Sequence, residues 1–223
     1  LAAASMLLGV PLHASPGIGE ATFWWEAPPG TAEEHPDELV TRVVDYGSFE
    51  WIETSETLET QLRSAGLRAA DFRLHLGGAS FDPVVAGAAL PEVWRAAPAR
   101  RAASGGSDRL HLVQWIGPRR DAWNRTLEDL DLEVIRHLVP FTDVVHGSVG
   151  AVAELVSNAN VRWTGPFEPG YKVQPAWRSL DAAPREVSGL LVRSSVESGD
   201  LLDRLQNLGT THLHVRPLDG TLV

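Results

Sequence analysis

Hydrophobic and polar positions are most regular in one central stretch, residues 109–177, where strand-like and helix-like patterns follow each other. The stretch opens on an apolar run, LHLVQWI, typical of a buried strand. Three further strand patterns then follow, at residues 133–139, 142–148 and 161–167. With a helix pattern after the first strand and another after the third, the order is β-α-β-β-α-β. This order predicts an α+β fold of the ferredoxin-like type, an antiparallel sheet with both helices on one face.

The two helices of this stretch are predicted from apolar residues at helical spacing. The first begins at Pro118, since a helix tolerates proline in its first turn, and it carries Trp123, Leu127 and Leu130 at i, i+4 and i+7. The second follows Ser148, a residue type that commonly caps a helix N-terminus. Its predicted buried face consists of Val149, Val152, Ala153 and Val156.

Two other segments follow part of the same pattern, which predicts an internal repeat. The segment before the central stretch has a strand over 43–53, a helix over 55–66 and a strand over 71–78. The segment after it has a strand over 188–195, a helix over 197–209 and a strand over 211–217. Asp219-Gly220 then predicts a hairpin turn.

The patterns and the proline-rich or small-residue stretches between them divide the chain into four parts. Residues 1–14 have the apolar character of a signal-peptide remnant, which predicts a secreted protein; a short hydrophobic N-terminal helix is the alternative. Residues 15–97 form an N-terminal β-α-β segment with a loop-like, proline-rich lead-in over 15–40. Within the lead-in, Phe23, Trp24 and Trp25 are expected to anchor it to the body, or else to form an exposed aromatic platform. Residues 109–177 are the complete module, and residues 188–223 are the truncated first half of a second one.

Composition and charge argue against several classes of function. A net charge of −10 argues against a nucleic-acid partner, because binding a polyanion requires cations. The chain has no cysteine, which excludes disulfides, cysteine nucleophiles and thiolate metal sites. Its longest apolar run is too short to span a bilayer, so no membrane span is predicted.

The sequence predicts no catalytic, cofactor-binding or metal-binding residues. The carboxylates are scattered, and neither a glycine-rich phosphate loop nor a nucleophile elbow is present. His212 and His214 share one face of a predicted strand, but no third metal ligand is evident.

Tryptophans give the clearest candidates for binding. Trp123 belongs to a helix stripe and is predicted to be core. Trp115 and Trp163 lie on the first and last strands of the central module, which are neighbours in the predicted sheet. One face of that sheet lacks helices, so aromatic side chains there would mark a partner surface. Burial under the helices or under a neighbouring segment is the alternative.

Three short motifs carry a family resemblance. They are LVQ-(aromatic)-x-GP at 112–118, RW-x-GP-(aromatic) at 162–167 and P-x-YK-(apolar)-x-P at 169–175. Over residues 109–180 the chain resembles the region ahead of the catalytic domain in secreted subtilisin-like serine peptidases. The resemblance implies a ferredoxin-like propeptide that lays its sheet on its own downstream peptidase domain and offers its tail to the active-site cleft. Such a module helps the peptidase fold and keeps it inactive. The predicted partner-binding residues are Trp115 and Trp163 of the sheet, together with Tyr171 and Lys172 of the tail motif.

The chain departs from the full family because the three motifs of its catalytic triad are absent. Asp45-Tyr46-Gly47 lacks the hydroxyl residue of Asp-Ser/Thr-Gly, and His146-Gly147-Ser148-Val149 lacks the second histidine of His-Gly-Thr-His. We therefore expect no peptidase activity from these residues and no cofactor, with a serine endopeptidase as the parent protein. Two alternatives stay open, a secreted module that binds a peptide or polymer through Trp115 and Trp163, and a structural repeat array without a ligand.

Overall fold

A computed structural model describes residues 23–85, 108–172, 217–218 and 221–222 of the chain. Contacts divide the chain into two compact units, residues 1–174 and 175–223. The fold is α+β, with helices and antiparallel sheets. The predictions for residues 1–14, for His212 and His214, and for most of 188–223 lie outside the described residues.

Residues 23–85 contain a three-stranded sheet, one helix and a separate hairpin. The sheet has the antiparallel order β1-β3-β2, formed by β1 (Phe23–Ala27), β2 (Val40–Asp45) and β3 (Glu50–Thr54). Helix α1 (Glu56–Ser64) follows and buries Leu58 and Leu62. The hairpin, β4 (Leu74–Leu76) and β5 (Ala79–Phe81), forms a two-stranded sheet of its own.

Two predictions for this region were wrong. The single strand expected over 43–53 is in fact the hairpin of β2 and β3, whose turn uses a left-handed glycine, Gly47, at φ 80°. The loop expected over 15–40 contains strand β1. Trp24 and Trp25 are buried in that strand, as expected for an anchor and not for an exposed platform.

Residues 108–172 form a four-stranded sheet with two helices. Its elements are β6 (Arg109–Trp115), α2 (Asp121–Asp129), β7 (Glu133–Leu138), β8 (Thr142–Gly147), α3 (Val149–Leu155) and β9 (Val161–Pro166). The strands lie in the order β7-β8-β6-β9, and every neighbouring pair is antiparallel. All four strands lie within one residue of their predicted bounds.

Both helices contribute to the core on one face of this sheet. Trp123 and Leu127 of α2 share a buried cluster with Val113 and Val145 of the strands. Val152 and Leu155 of helix α3 are buried in the same cluster. The predicted face of α3 was wrong in part, because Val149, Ala153 and Val156 are exposed. Ser148 does cap the helix, its Oγ accepting a hydrogen bond from the amide of Ala151 at 3.1 Å.

The opposite face of the sheet is covered by the β4-β5 hairpin. Leu112 of β6 and Val144 of β8 form a second buried cluster with three residues of the hairpin, Leu74, Leu76 and Phe81. The face without helices is therefore occupied by a preceding segment of the same chain. Local sequence patterns do not reveal such a contact, because its partners lie more than 30 residues apart.

The three-stranded sheet contacts the loops at one end of the four-stranded sheet. The Trp51 indole donates a hydrogen bond to the Ile116 carbonyl at 2.7 Å, and the Tyr46 hydroxyl donates one to the Pro118 carbonyl. Burial raises the pKa of Tyr46 to about 12, against the opposing effect of the Arg120 charge. Residues 23–85 thus share hydrophobic cores with residues 108–172.

The described residues do not reproduce the predicted repeat in the first segment. Strand β4, which follows helix α1, pairs with β5 and not with β3, the strand before that helix. In the last segment, β10 (Pro217–Leu218) and β11 (Thr221–Leu222) form the hairpin expected around Asp219-Gly220.

Candidate functional site

The first predicted partner-binding residue, Trp115, lies in the core under the helices. Its side chain is on the helix face of β6, is 1% exposed and stacks on Trp123 with ring centroids 5.2 Å apart. Its indole nitrogen donates a hydrogen bond to Asp143 Oδ2 at 2.8 Å. Trp115 therefore occupies the buried position that the sequence left open as an alternative.

Trp163 lies on the opposite face, at the edge strand β9. It is partly exposed and packs at the margin of the cluster that contains the hairpin. Its ring lies over Gly165, two residues further along the same strand, so closely that a β-carbon at Gly165 would overlap the six-membered ring. The glycine of the RW-x-GP motif therefore leaves the room that the indole ring occupies.

Tyr171 and Lys172 follow β9 in a 3₁₀ turn over Pro169–Lys172. Tyr171 is buried, with its ring centroid 5.8 Å from that of Phe81 in the hairpin and 5.9 Å from that of Phe167. Lys172 is exposed, and its Nζ lies 5.7 Å from the Phe167 ring centroid. Trp163, Phe167 and Tyr171 thus share one cluster with the hairpin, with Lys172 beside it, whereas Trp115 lies on the other face of the sheet.

Arg162 joins the hairpin to the sheet. Its guanidinium makes two contacts with the Asp82 carboxylate, at 2.7 and 2.8 Å, and donates to Gln114 Oε1 at 2.8 Å. It also lies 4.2 Å from the Phe72 ring centroid. Gln114 is fully buried and donates from Nε2 to the Phe72 carbonyl at 2.9 Å. We define these four residues, Phe72, Asp82, Gln114 and Arg162, as the hairpin clamp.

The sequence did not single out the hairpin clamp. Arg162 belongs to the RW-x-GP motif, but the motif alone gives its position in a strand and not its partner 80 residues earlier. The only local sign was Asp82-Pro83 after a short strand, a common turn signal.

A second polar cluster surrounds Asp143, which is 2% exposed. Its Oδ1 contacts the Arg119 guanidinium at 3.0 Å and His137 Nδ1 at 2.6 Å, while Oδ2 accepts from Trp115. The buried carboxylate is therefore compensated by a cation and fully hydrogen-bonded, as a buried charge must be. The cluster connects β8 to the turn before α2 and orients the Trp115 ring.

His111 is a buried titratable group on the helix face of β6. It is 3% exposed, and among the described residues its Nε2 has no hydrogen-bond partner. Burial lowers the pKa of His111 to about 4, and the nearby charges of Arg109 and His146 act in the same direction. A neutral imidazole is thus built into the sheet at neutral pH.

The described part of the chain shows no group of three or more His, Cys, Asp or Glu side chains placed to hold a metal ion. None of the helices in the described ranges has the length and hydropathy needed to cross a membrane. Comparisons with known protein families, with characterised proteins and with solved structures find no match to this chain. The function is therefore argued from the residues and their geometry.

Proposed function

We propose that this chain is the non-catalytic N-terminal region of a subtilisin-like serine endopeptidase precursor. In this role it acts on its own peptidase domain as an intramolecular chaperone and inhibitor, or as a docking domain. The observation that supports this most is the sheet order β7-β8-β6-β9 with both helices on one face. We interpret this arrangement as the ferredoxin-like fold of the propeptides that the sequence resembles.

The resemblance motifs lie where the module makes its connections, which adds support. Gly117-Pro118 leaves β6 and contacts Trp51 and Tyr46 of the three-stranded sheet. Gly165-Pro166 ends β9 beneath the Trp163 ring, and Tyr171 then packs against the hairpin. Each motif thus fixes how the chain enters or leaves the sheet, which explains why glycine, proline and aromatic residues occur together in it.

The proposal rests on binding and not on chemistry by this chain. A partner that binds only the folded peptidase shifts the folding equilibrium toward that state by mass action. Inhibition requires only that the bound module occupies the route to the cleft. The partly exposed Trp163 and the exposed Lys172 are the described side chains of the resemblance motifs that a folded partner could contact.

The test starts from the coding sequence beyond Val223. We expect the subtilisin-type Asp, His and Ser motifs in that order, within the next few hundred codons. The encoded peptidase, with its catalytic serine replaced by alanine, should bind the purified 223-residue chain, and the active peptidase should be inhibited by it. A trypsin-type serine peptidase serves as the control and should be unaffected. A downstream sequence without these motifs would contradict the proposal.

One observation favours the second candidate, a module that binds a peptide or polymer. The Trp163 indole is partly exposed over Gly165, in a cluster that also contains Phe167, whose ring centroid lies 5.7 Å from Nζ of the exposed Lys172. A flat aromatic surface beside a cation can stack on a ligand without any peptidase domain. Binding of a soluble polysaccharide or an unstructured peptide that is lost in W163A would support this candidate, provided that the inactive peptidase does not bind.

A further inference from the structure

We propose that the β4-β5 hairpin is a displaceable cover over the docking face of the four-stranded sheet, latched by Arg162. The identity of the partner that replaces the cover rests on the proposed function. The opening of the cover does not, because it is a property of this chain alone.

The hairpin is joined to the sheet by side chains. Its strand pairs, Leu74 with Phe81, His75 with Ser80 and Leu76 with Ala79, connect β4 only to β5. The two strands form their own sheet and do not extend the β7-β8-β6-β9 sheet. The hairpin can therefore leave without breaking a strand pair of the four-stranded sheet.

The hairpin clamp holds the two ends of the hairpin against the sheet. Phe72 precedes β4 and Asp82 follows β5, so the two ends of the hairpin meet at one place on the sheet. There the Phe72 carbonyl accepts from Gln114 Nε2, and Asp82 accepts two contacts from Arg162. Arg162 also donates to Gln114 Oε1, which joins both ends into one network. A two-contact arginine–carboxylate pair has a defined geometry, and losing it releases both ends.

The surface beneath the hairpin has the character of an interface. Leu112 and Val144 are buried there, and partly buried residues surround them, namely Leu110, Ile135, Leu138 and Trp163. A contiguous apolar surface of this kind, when exposed, marks a site of protein association. The hairpin fills it with Leu74, Leu76 and Phe81.

The charge of Arg162 in the hairpin clamp indicates what kind of surface can take the place of the hairpin. When another surface takes the place of the hairpin, it buries the Arg162 guanidinium again, and a buried charge without a partner is costly. The replacing surface therefore presents apolar side chains together with a carboxylate aimed at Arg162. We assign this surface to the downstream peptidase domain.

Native-state hydrogen exchange of the whole chain tests the cover. A two-stranded hairpin detached from the sheet is only marginally stable, so in the wild type the amides of 74–81 should exchange through this partial opening, well before the amides of β6. R162A and D82A should each speed their exchange about tenfold or more, without speeding that of β6. The matched control is R42A, which removes an arginine that contacts Ala159, Asn160 and the Trp24 ring instead of Asp82 or Gln114. R42A should leave the exchange of 74–81 unchanged.

One result would contradict the proposal that the hairpin is a displaceable cover. If the amides of 74–81 and of β6 exchange together in the wild type, and both variants accelerate both sets equally, the hairpin is a fixed part of the core. This comparison needs only the isolated chain, so it holds whether or not a peptidase follows.

Binding of the inactive peptidase separates the two proposals. D82A frees the face and keeps Arg162, so it should bind about tenfold more tightly than the wild type. R162A also frees the face but loses the charge that receives the carboxylate, so it should gain less. If the hairpin opens in both variants and neither binds the peptidase, the cover stands and the proposed function fails. Equal gains for both variants would overturn the carboxylate partner for Arg162.

Discussion

The indole ring of Trp51 lies directly against the backbone of Gly117. A β-carbon built on Gly117 would lie 2.5 Å from the Trp51 indole nitrogen and 2.8 Å from the adjacent ring carbon. The same nitrogen donates to the carbonyl of Ile116. This close approach joins the three-stranded sheet to the end of β6, and it accounts for the glycine of the LVQ-(aromatic)-x-GP motif.

G117A should destabilise the protein by roughly 1–3 kcal/mol, since an extra carbon in a packed contact forces the ring or the backbone to move. The Trp51 ring is 3% exposed and has little room to yield. Urea denaturation, followed by circular dichroism, gives the free energy of unfolding.

The matched control for G117A is G150A in helix α3. A β-carbon there meets only Ser148 Oγ, at 3.8 Å. Alanine has the better helix propensity, so G150A should be neutral or stabilising by up to about 1 kcal/mol. Equal effects of the two substitutions would show that the contact of Trp51 with Gly117 contributes little.

D143N should destabilise the fold by about 2 kcal/mol or more. The substitution keeps the shape of the side chain and an acceptor for Trp115, but it removes the negative charge that Arg119 contacts in a buried position. D37N, in an exposed turn, is the control and should change the free energy of unfolding by less than about 0.5 kcal/mol. If D143N lowers the free energy of unfolding as little as D37N does, solvent fully compensates the charge of Arg119 in the variant.

Much of the four-stranded sheet could be predicted because each of its strands has an apolar pattern that is visible within a short segment of sequence. Alternating apolar residues gave the four strands, and the stripe of Trp123 and Leu127 gave helix α2. The turn between β2 and β3 was missed because the apolar pattern continues through it, and only Gly47 marks the reversal. Strand β1 was missed because its two tryptophans lie in a stretch rich in proline and glycine.

The faces of the sheet were harder to predict than its strands. Trp115 and Trp163 lie on neighbouring strands, but their side chains point to opposite sides. Trp163 pairs with Gln114, the residue before Trp115 on β6, so the alternation of side chains along β6 places the two tryptophans on opposite faces. This register follows from the pairing of the two strands and is not visible in either strand alone. The contacts of Arg162 with Asp82 depend on the tertiary fold, which a single sequence does not encode in any local pattern.

Acidification should destabilise the protein through His111. In the folded chain the imidazole stays neutral down to about pH 4, whereas in the unfolded chain it binds a proton below its usual pKa of 6.5. The contribution of this group is therefore fully present above pH 6.5 and is lost as the pH falls from 6.5 to 4. The loss amounts to about 3 kcal/mol, from the difference between the two pKa values.

Urea denaturation of the wild type and of H111Q at pH 7.5 and pH 4.5 isolates this effect. H111Q should lose less stability than the wild type between the two pH values, because glutamine does not titrate. H75Q, at an exposed position of β4, is the control and should follow the wild type. Parallel curves for the wild type and H111Q would contradict the prediction.

Substitutions of Trp115 and Trp163 should separate stability from binding. W115F removes the indole that donates to the buried Asp143, and it should cost about 1–3 kcal/mol in the free energy of unfolding. W163F keeps an aromatic ring at a partly exposed edge and should cost less than about 1 kcal/mol in the free energy of unfolding.

If the face without helices binds the partner, W163F should weaken binding of the inactive peptidase severalfold, measured by calorimetry. Under conditions where W115F remains folded, it should leave that binding unchanged. A binding defect confined to W115F would place the partner on the helix side and contradict this assignment of faces.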